Sequence, residues 1–203
     1  MNRKIDIGIG SYTYTWSIGV PGYVNKIAMS AFDLIEKAAD LKADVVQFAD
    51  NVPLDDYSPD ELLRLYLFAR ERGVRLEVGA KGLTSDRLRL YTEIAGILHA
   101  DLLRFVIDDV GFEPSPDRVI EMIRPAIPLM EERGVSLALE NHDRLRCADL
   151  LAIIAGCNSS NVGICLDTVN SLGVPEGMDE VIRTLSPYTL NLHVKDFVIR
   201  RLD

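Results

Sequence analysis

No stretch of this sequence is apolar for long enough to span a bilayer, and its opening, MNRKIDIGIGS, has neither the long apolar run nor the small-residue cleavage site of a secretory leader. No membrane partner is therefore expected. Phosphate-cradling loops are missing too. Neither GxGxxG nor GxxxxGK with a following serine or threonine succeeds any strand-like run, and GIGS at 8–11 is too short and opens no nearby helix. Basic residues are outnumbered: 22 Lys and Arg stand against 31 Asp and Glu, for a net charge of −9, and no basic cluster repeats along a face. Phosphate contacts supply most nucleic-acid affinity, so no nucleic-acid partner is expected either. The cysteines, Cys147, Cys157 and Cys165, are odd in number and without zinc-ligand spacing. They read as buried free thiols in a reducing compartment, which excludes a disulfide scaffold and makes a cytoplasmic protein the expectation. Nor does any low-complexity segment or Pro/Gly-rich linker divide the chain, so residues 1–203 read as a single domain.

What is present is ordinary core material, 48% hydrophobic, arranged as a repeated alternation. Short apolar runs fall at 5–10, 43–49, 74–79, 102–107, 135–140, 162–167 and 189–195. Between them lie amphipathic stretches at 31–41, 58–73, 84–99, 115–134, 148–156 and 178–186. Ser58-Pro59 and Ser115-Pro116 place a capping serine before proline at the first helical position, and Gly73 and Gly134 stand where glycine ends a helix. Pro125 and Pro128 should kink or divide the fourth helix. Strands alternating with helices mean βαβ units and a parallel sheet. A doubly wound sheet and a (β/α)₈ barrel both satisfy this, but polar residues gather at the C-terminal ends of successive strands (Gln47, Glu77, Asp108, Glu140, Asp167, His193). A barrel builds its site on that face, so the predicted fold is a (β/α)₈ TIM barrel, incomplete, with seven parallel strands.

Strand parity then groups the side chains. Glu140 shares a face with Ala138 and His142, Asp167 with Cys165, and His193 with Asn191 and Lys195. Should these faces point into the barrel mouth, two carboxylates and an imidazole from three adjacent strands converge. Such a set suits Mn²⁺, Co²⁺, Mg²⁺ or Zn²⁺ and leaves coordination positions open for substrate. Each residue alone has a plainer explanation: a helix-capping glutamate, a turn-capping aspartate, a satisfied interior histidine. Their joint placement favours the metal site.

The stretches LALENHDR, GICLDTVNS and LHVKDF, in that order, together with GIGSYTY and LEVGAKGL, resemble the xylose-isomerase-like TIM barrels. That superfamily includes ketose 3-epimerases, hydroxypyruvate isomerase, inosose dehydratase and isomerase, and the endonuclease IV type of repair enzyme. The resemblance implies four metal ligands, Glu, Asp, His and Glu, from strands five to eight. The first three map onto Glu140, Asp167 and His193, while the fourth belongs to a strand eight that this sequence does not contain. The chain therefore reads as a truncated form, with unpaired edges on strands one and seven, expected to be inactive or nearly so by itself.

The implied activity is that of a divalent-metal-dependent isomerase or epimerase acting on a ketose or keto acid through a metal-bound enediolate, with Glu140 moving the proton. An inosose-type dehydratase on the same site, or a non-catalytic truncated barrel, is the alternative. Three histidines and the acidic balance argue against the endonuclease type. His142, Lys195, Gln47, Glu77 and Trp16 are the substrate-contact candidates, with Lys195 also able to pair with Asp196 or Asp167. Many ketose epimerases carry a substrate-contacting histidine three residues after the strand-six aspartate. Here that position is Asn170, which hydrogen-bonds but does not titrate. A small sugar or keto acid is the expected partner, and the sequence is compatible with a homo-oligomer.

Overall fold

The structure is a computed structural model and describes residues 5–20, 22–23, 25–195, 198 and 200–201. Seven strands form one sheet in the order β1-β2-β3-β4-β5-β6-β7, every neighbouring pair parallel. They are β1 (Gly8–Gly10), β2 (Val45–Phe48), β3 (Arg75–Lys81), β4 (Leu102–Val106), β5 (Ser136–Glu140), β6 (Val162–Asp167) and β7 (Thr189–His193). The helices are α1 (Thr15–Ile18), α2 (Ala31–Leu41), α3 (Pro59–Glu71), α4 (Ser85–Ile97), α5 (Pro116–Ile123), α6 (Ile127–Arg133), α7 (Cys147–Cys157) and α8 (Met178–Leu185). Sequential parallel order is that of a barrel and not of a doubly wound sheet. The sheet curls, because side chains of β7 reach those of β2 and β3 across its concave side: His193 touches Gln47, and Asn191 touches Glu77. The fold is an incomplete (β/α) barrel.

Local chemistry accounts for the elements. Ser58 and Ser115 accept hydrogen bonds from the backbone N–H groups of Glu61 and Arg118, each with proline behind it at the helix start. Gly73 and Gly134 adopt φ of 68° and 67°, the left-handed conformation that lets the chain turn from α3 into β3 and from α6 into β5. Pro125 and Pro128 divide the fourth helix into α5 and α6 through a 3₁₀ turn at Arg124–Ala126. The loop expected after strand one is a 3₁₀ turn, Ser11–Tyr14, running into α1. Two strands differ in extent from the sequence pattern: β1 begins at Gly8, and β7 stops at His193, leaving Lys195 beyond the ladder.

Alternation sorts the two faces. Val46, Phe48, Leu76, Val78, Leu103, Phe105, Leu137, Leu139, Ile164 and Leu166 face the helices in one continuous core, each buried side chain stabilising the fold by about 1.5–3 kcal/mol. Inside the barrel Leu102, Ala138 and Cys165 pack together, and above them lie buried Gln47, Arg104, Glu140 and Asp167. At the sheet's edges Leu190 and Leu192 of β7, and Ile5 and Ile7 before β1, are exposed.

The β6–β7 register steps between Ile164, which pairs with Thr189, and Cys165, which pairs with Asn191. This bulge brings Asn191 and His193 level with Cys165 and Asp167 on the inner face. Gly163 makes room for it: a Cβ there would meet Leu190 Cγ at 2.6 Å and the Tyr188 carbonyl oxygen at 2.7 Å. Because backbone cannot move aside as a flexible side chain can, Gly163→Ala should lower stability by about 1–3 kcal/mol in urea unfolding. An unchanged midpoint and slope would show that β7 does not rest on β6 in this way.

Candidate metal and sugar site

The inner face of β7 carries His193, whose Nε2 lies 2.7 Å from Gln47 Oε1. Gln47 can present only its oxygen there, because its amide nitrogen donates to Glu77 Oε2 at 2.8 Å. His193 Nε2 must then hold the ring proton and donate it, which leaves Nδ1 bare. That bare nitrogen faces Glu140 Oε2 at 3.4 Å and Asp167 Oδ2 at 3.8 Å. Burial holds the imidazole pKa below its ordinary value, against the opposing pull of Glu140. Burial also raises the pKa of Glu77, which accepts a second hydrogen bond from Asn191 Nδ2 at 3.2 Å.

Glu140 and Asp167 are fixed from several sides. Asn170 Nδ2 donates to Glu140 Oε1 at 2.6 Å, and Arg104 Nε donates to Glu140 Oε2. Asn141 clamps the ends of β5 and β6 together: it accepts from the Asp167 N–H at 2.7 Å and donates to the Asp167 carbonyl at 2.9 Å and to Ser171 Oγ at 2.8 Å. Asp167 Oδ1 accepts the N–H groups of Val169 and Asn170 at 2.9 and 3.0 Å. Its Oδ2 forms an ion pair with Lys195 Nζ at 2.6 Å, yet no donor among the described residues is aligned to give it a hydrogen bond. A buried, unsatisfied carboxylate oxygen beside a bare imidazole nitrogen and a second carboxylate is a donor set that fits a divalent ion. Cys165 Sγ belongs to the same neighbourhood, within 4.8 Å of ligand atoms of Glu140 and His193. Burial raises this thiol's pKa well above the ordinary range, and the neighbouring Glu140 adds to the rise.

The structure thus brings Glu140, Asp167, His193 and Asn170 together, with Lys195 bound to Asp167 and donating to Asn170 Oδ1 at 3.2 Å. Asp196 lies outside the described residues. Gln47 and Glu77 sit in the network beneath His193, and since β3 runs on to Lys81, Glu77 occupies mid-strand and not the strand end expected from the sequence. His142 lies against Asp143, its Nδ1 3.1 Å from Oδ2. Trp16 is 67% exposed and packs edge-on against Tyr23. Asp108 is held by Arg144, and Asp109 lies 3.6 Å from Lys81. The sequence reading missed Arg104, and it set Asn191 on the face of His193 without giving it a role. The signal for Arg104 was a charge at the centre of the apolar run LLRFVI, on the inward parity. All three cysteines are free and buried.

The model of the xylose isomerase-like TIM barrel family matches residues 35–203. A 3-oxo-isoapionate decarboxylase of Pectobacterium atrosepticum is 32% identical over 197 residues, covering 96% of this chain and 70% of that protein. A D-psicose 3-epimerase of Agrobacterium fabrum is 23% identical over 213 residues, covering 90% of this chain and 69% of that protein. The crystal structure of D-psicose 3-epimerase with D-tagatose from Clostridium cellulolyticum matches with a TM-score of 0.75 at 20% identity, over 93% of this chain and 72% of that one. The chain belongs to the xylose isomerase-like TIM barrel family.

A half-buried, neutral His193 has a pH signature. Its folded pKa lies below the unfolded value of 6.5, so the unfolded chain takes up the proton first as pH falls. The stabilising contribution is full above about pH 6.5 and is lost as pH drops toward the folded-state pKa. Urea unfolding from about pH 7.5 to 5 should therefore show a steeper loss of stability in the native protein than in His193→Gln. Parallel curves would mean that the ring is not held neutral.

Proposed function

We propose that this chain carries the active centre of a divalent-cation-dependent sugar enzyme that converts a ketose or a related keto acid through an enediolate. The observation that supports it most is the bare His193 Nδ1 facing Glu140 Oε2 at 3.4 Å and Asp167 Oδ2 at 3.8 Å inside the barrel. These atoms already draw Arg104 and Lys195 to them, and the mixed carboxylate and imidazole set suits Mn²⁺, Co²⁺, Mg²⁺ or Zn²⁺. Glu140, Asp167 and His193 would hold the ion, which supplies Lewis-acid stabilisation of charge developing on a carbonyl oxygen, worth several kcal/mol.

The chain's own residues then divide the work. Glu140 Oε2 faces Arg104 and His193, while Oε1 accepts from the uncharged amide of Asn170 and is the oxygen that takes the proton from the carbon next to the carbonyl. Asn170 orients that carboxylate and, being unable to titrate, leaves the proton with Glu140. Gln47 fixes the His193 tautomer, as second partners of ligating histidines do. Lys195 and Asn170 are assigned to substrate oxygens, and Trp16 and His142 to contacts with the outer part of the sugar.

A second reading has its own support. The relative at 32% identity is a decarboxylase by name, and an enediolate or enolate forms equally when carbon dioxide leaves in place of a proton. The two differ in what is released. Metal binding is measured on the chain itself, and turnover on the chain joined to the strand and helix that complete the barrel. Deuterium uptake from D₂O next to the carbonyl supports exchange, and carbon dioxide release supports decarboxylation. Either should disappear on chelation and return with Mn²⁺. Glu140→Gln should slow turnover by roughly 10²–10⁴-fold, while His193→Gln should abolish tight metal binding. Turnover that survives both the chelator and Glu140→Gln would overturn the proposal.

A further inference from the structure

Among the buried polar residues of the inner barrel face, Gln47, Arg104, Glu140 and Asp167, Arg104 is the cation. Its side chain is only 6% exposed, and its register neighbours on β3 and β5 are Gly79 and Ala138, which leave room for it. Gly79 is under close constraint: a Cβ there would come within 2.7 Å of the Phe48 carbonyl oxygen and 3.4 Å of Arg104 Cδ. One end of the guanidinium is used, with Nε donating to Glu140. The other is not: Arg104 Nη1 is buried and has no hydrogen-bond partner among the described residues, where the carboxylate oxygen with which it pairs, Asp50 Oδ1, is 3.6 Å away. A buried guanidinium N–H without an acceptor carries a desolvation penalty that a bound anion would remove.

The surroundings are those of an anion subsite in waiting. Lys81, at the end of β3, holds its ammonium 3.6 Å from Asp50 Oδ2 and 3.6 Å from Asp109 Oδ1, again too far for hydrogen bonds. Tyr12, after β1, donates its hydroxyl to Asp50 Oδ2 at 2.8 Å. Burial and that bond push the phenol up to about 12, so it remains a donor at neutral pH. Tyr12, Lys81 and Arg104 thus all lie against Asp50, the last two at slack distances, while Lys81 is equally near Asp109 and Arg104 also donates to Glu140. A cation taken up by Glu140 would loosen Arg104 further, since both positive charges draw on the same oxygen.

We propose that Arg104 and Lys81, with Tyr12, form a carboxylate-binding subsite beside the Glu140–Asp167–His193 donors, so that the substrate is a sugar-derived keto acid and not a neutral ketose. The inference rests on the functional reading above for the keto group. It assigns the acid group of the substrate to β1–β4, with Asp50 as the resident anion that the substrate carboxylate displaces. Such grip acts before reaction, and therefore on affinity more than on the chemical step.

The probes are erythronate, a four-carbon sugar acid, and erythritol, its uncharged counterpart, measured by titration calorimetry with and without Mg²⁺. Erythronate should bind the native chain at least about tenfold more tightly than erythritol, and Arg104→Met and Lys81→Met should each weaken erythronate about tenfold while leaving erythritol unchanged. Should Arg104→Met fail to fold, Lys81→Met carries the test, because Lys81 is half exposed and its loss leaves Glu140 paired. Equal binding of the two probes, no binding of either, or equal weakening of both by the variants would overturn the subsite and make Arg104 a clamp on Glu140 alone. Mn²⁺ titration of the same samples separates the two proposals: erythronate selectivity without metal binding would keep the subsite and sink the metal reading.

Discussion

The hydrogen bond between His193 Nε2 and Gln47 Oε1 spans the concave side of the sheet, from β7 to β2, and much of the molecule is organised around it. It depends on curvature, since a flat parallel sheet would hold strands two and seven far apart. It depends on the bulge that turns His193 inward. It depends, finally, on Glu77 and Asn191, which orient the Gln47 amide so that its oxygen is the atom presented. What issues from these constraints is a tautomer, and with it a nitrogen lone pair aimed at two carboxylates. Fold and chemistry meet at one proton's position.

The barrel was legible because it follows from periodicity. Apolar runs at regular spacing, capping serines before proline and glycine at helix ends are local signals, and each reports on its own neighbourhood. Parity placed Glu140, Asp167 and His193 on one face because strand geometry alternates whatever the tertiary context. The less legible parts are those in which distant strands negotiate. Nothing in TLNLHVK announces a bulge, and the strand was read as two residues longer than it is. Glu77 was placed at a strand end because β3 was read as ending at residue 79, whereas ladder bonds to β4 continue to Lys81. Arg104 was passed over because a lone arginine in an apolar run has no pattern to belong to. Its meaning appears only once Glu140 and Asp50 are seen beside it.

The mouth is assembled in two halves. Strands β5, β6 and β7 bring acidic and imidazole donors, clamped by Asn141 between β5 and β6. Strands β1 to β4 bring Tyr12, Asp50, Lys81 and Arg104. The halves touch through the Arg104–Glu140 pair, which is buried on both sides. Pairs of this kind are costly to break and weak as a source of net stability, so their persistence at a site edge is better explained by orientation than by cohesion.

The lysine against Asp167 has a consequence for the order in which the molecule comes together. A small zinc-dependent domain cannot settle until its ion arrives, because its ligands repel one another in the ion's absence. Here the repulsion is already answered from within, by Lys195 at Asp167 and by Arg104 at Glu140. A chain that carries its own counter-charges at these carboxylates can fold without borrowing charge from outside.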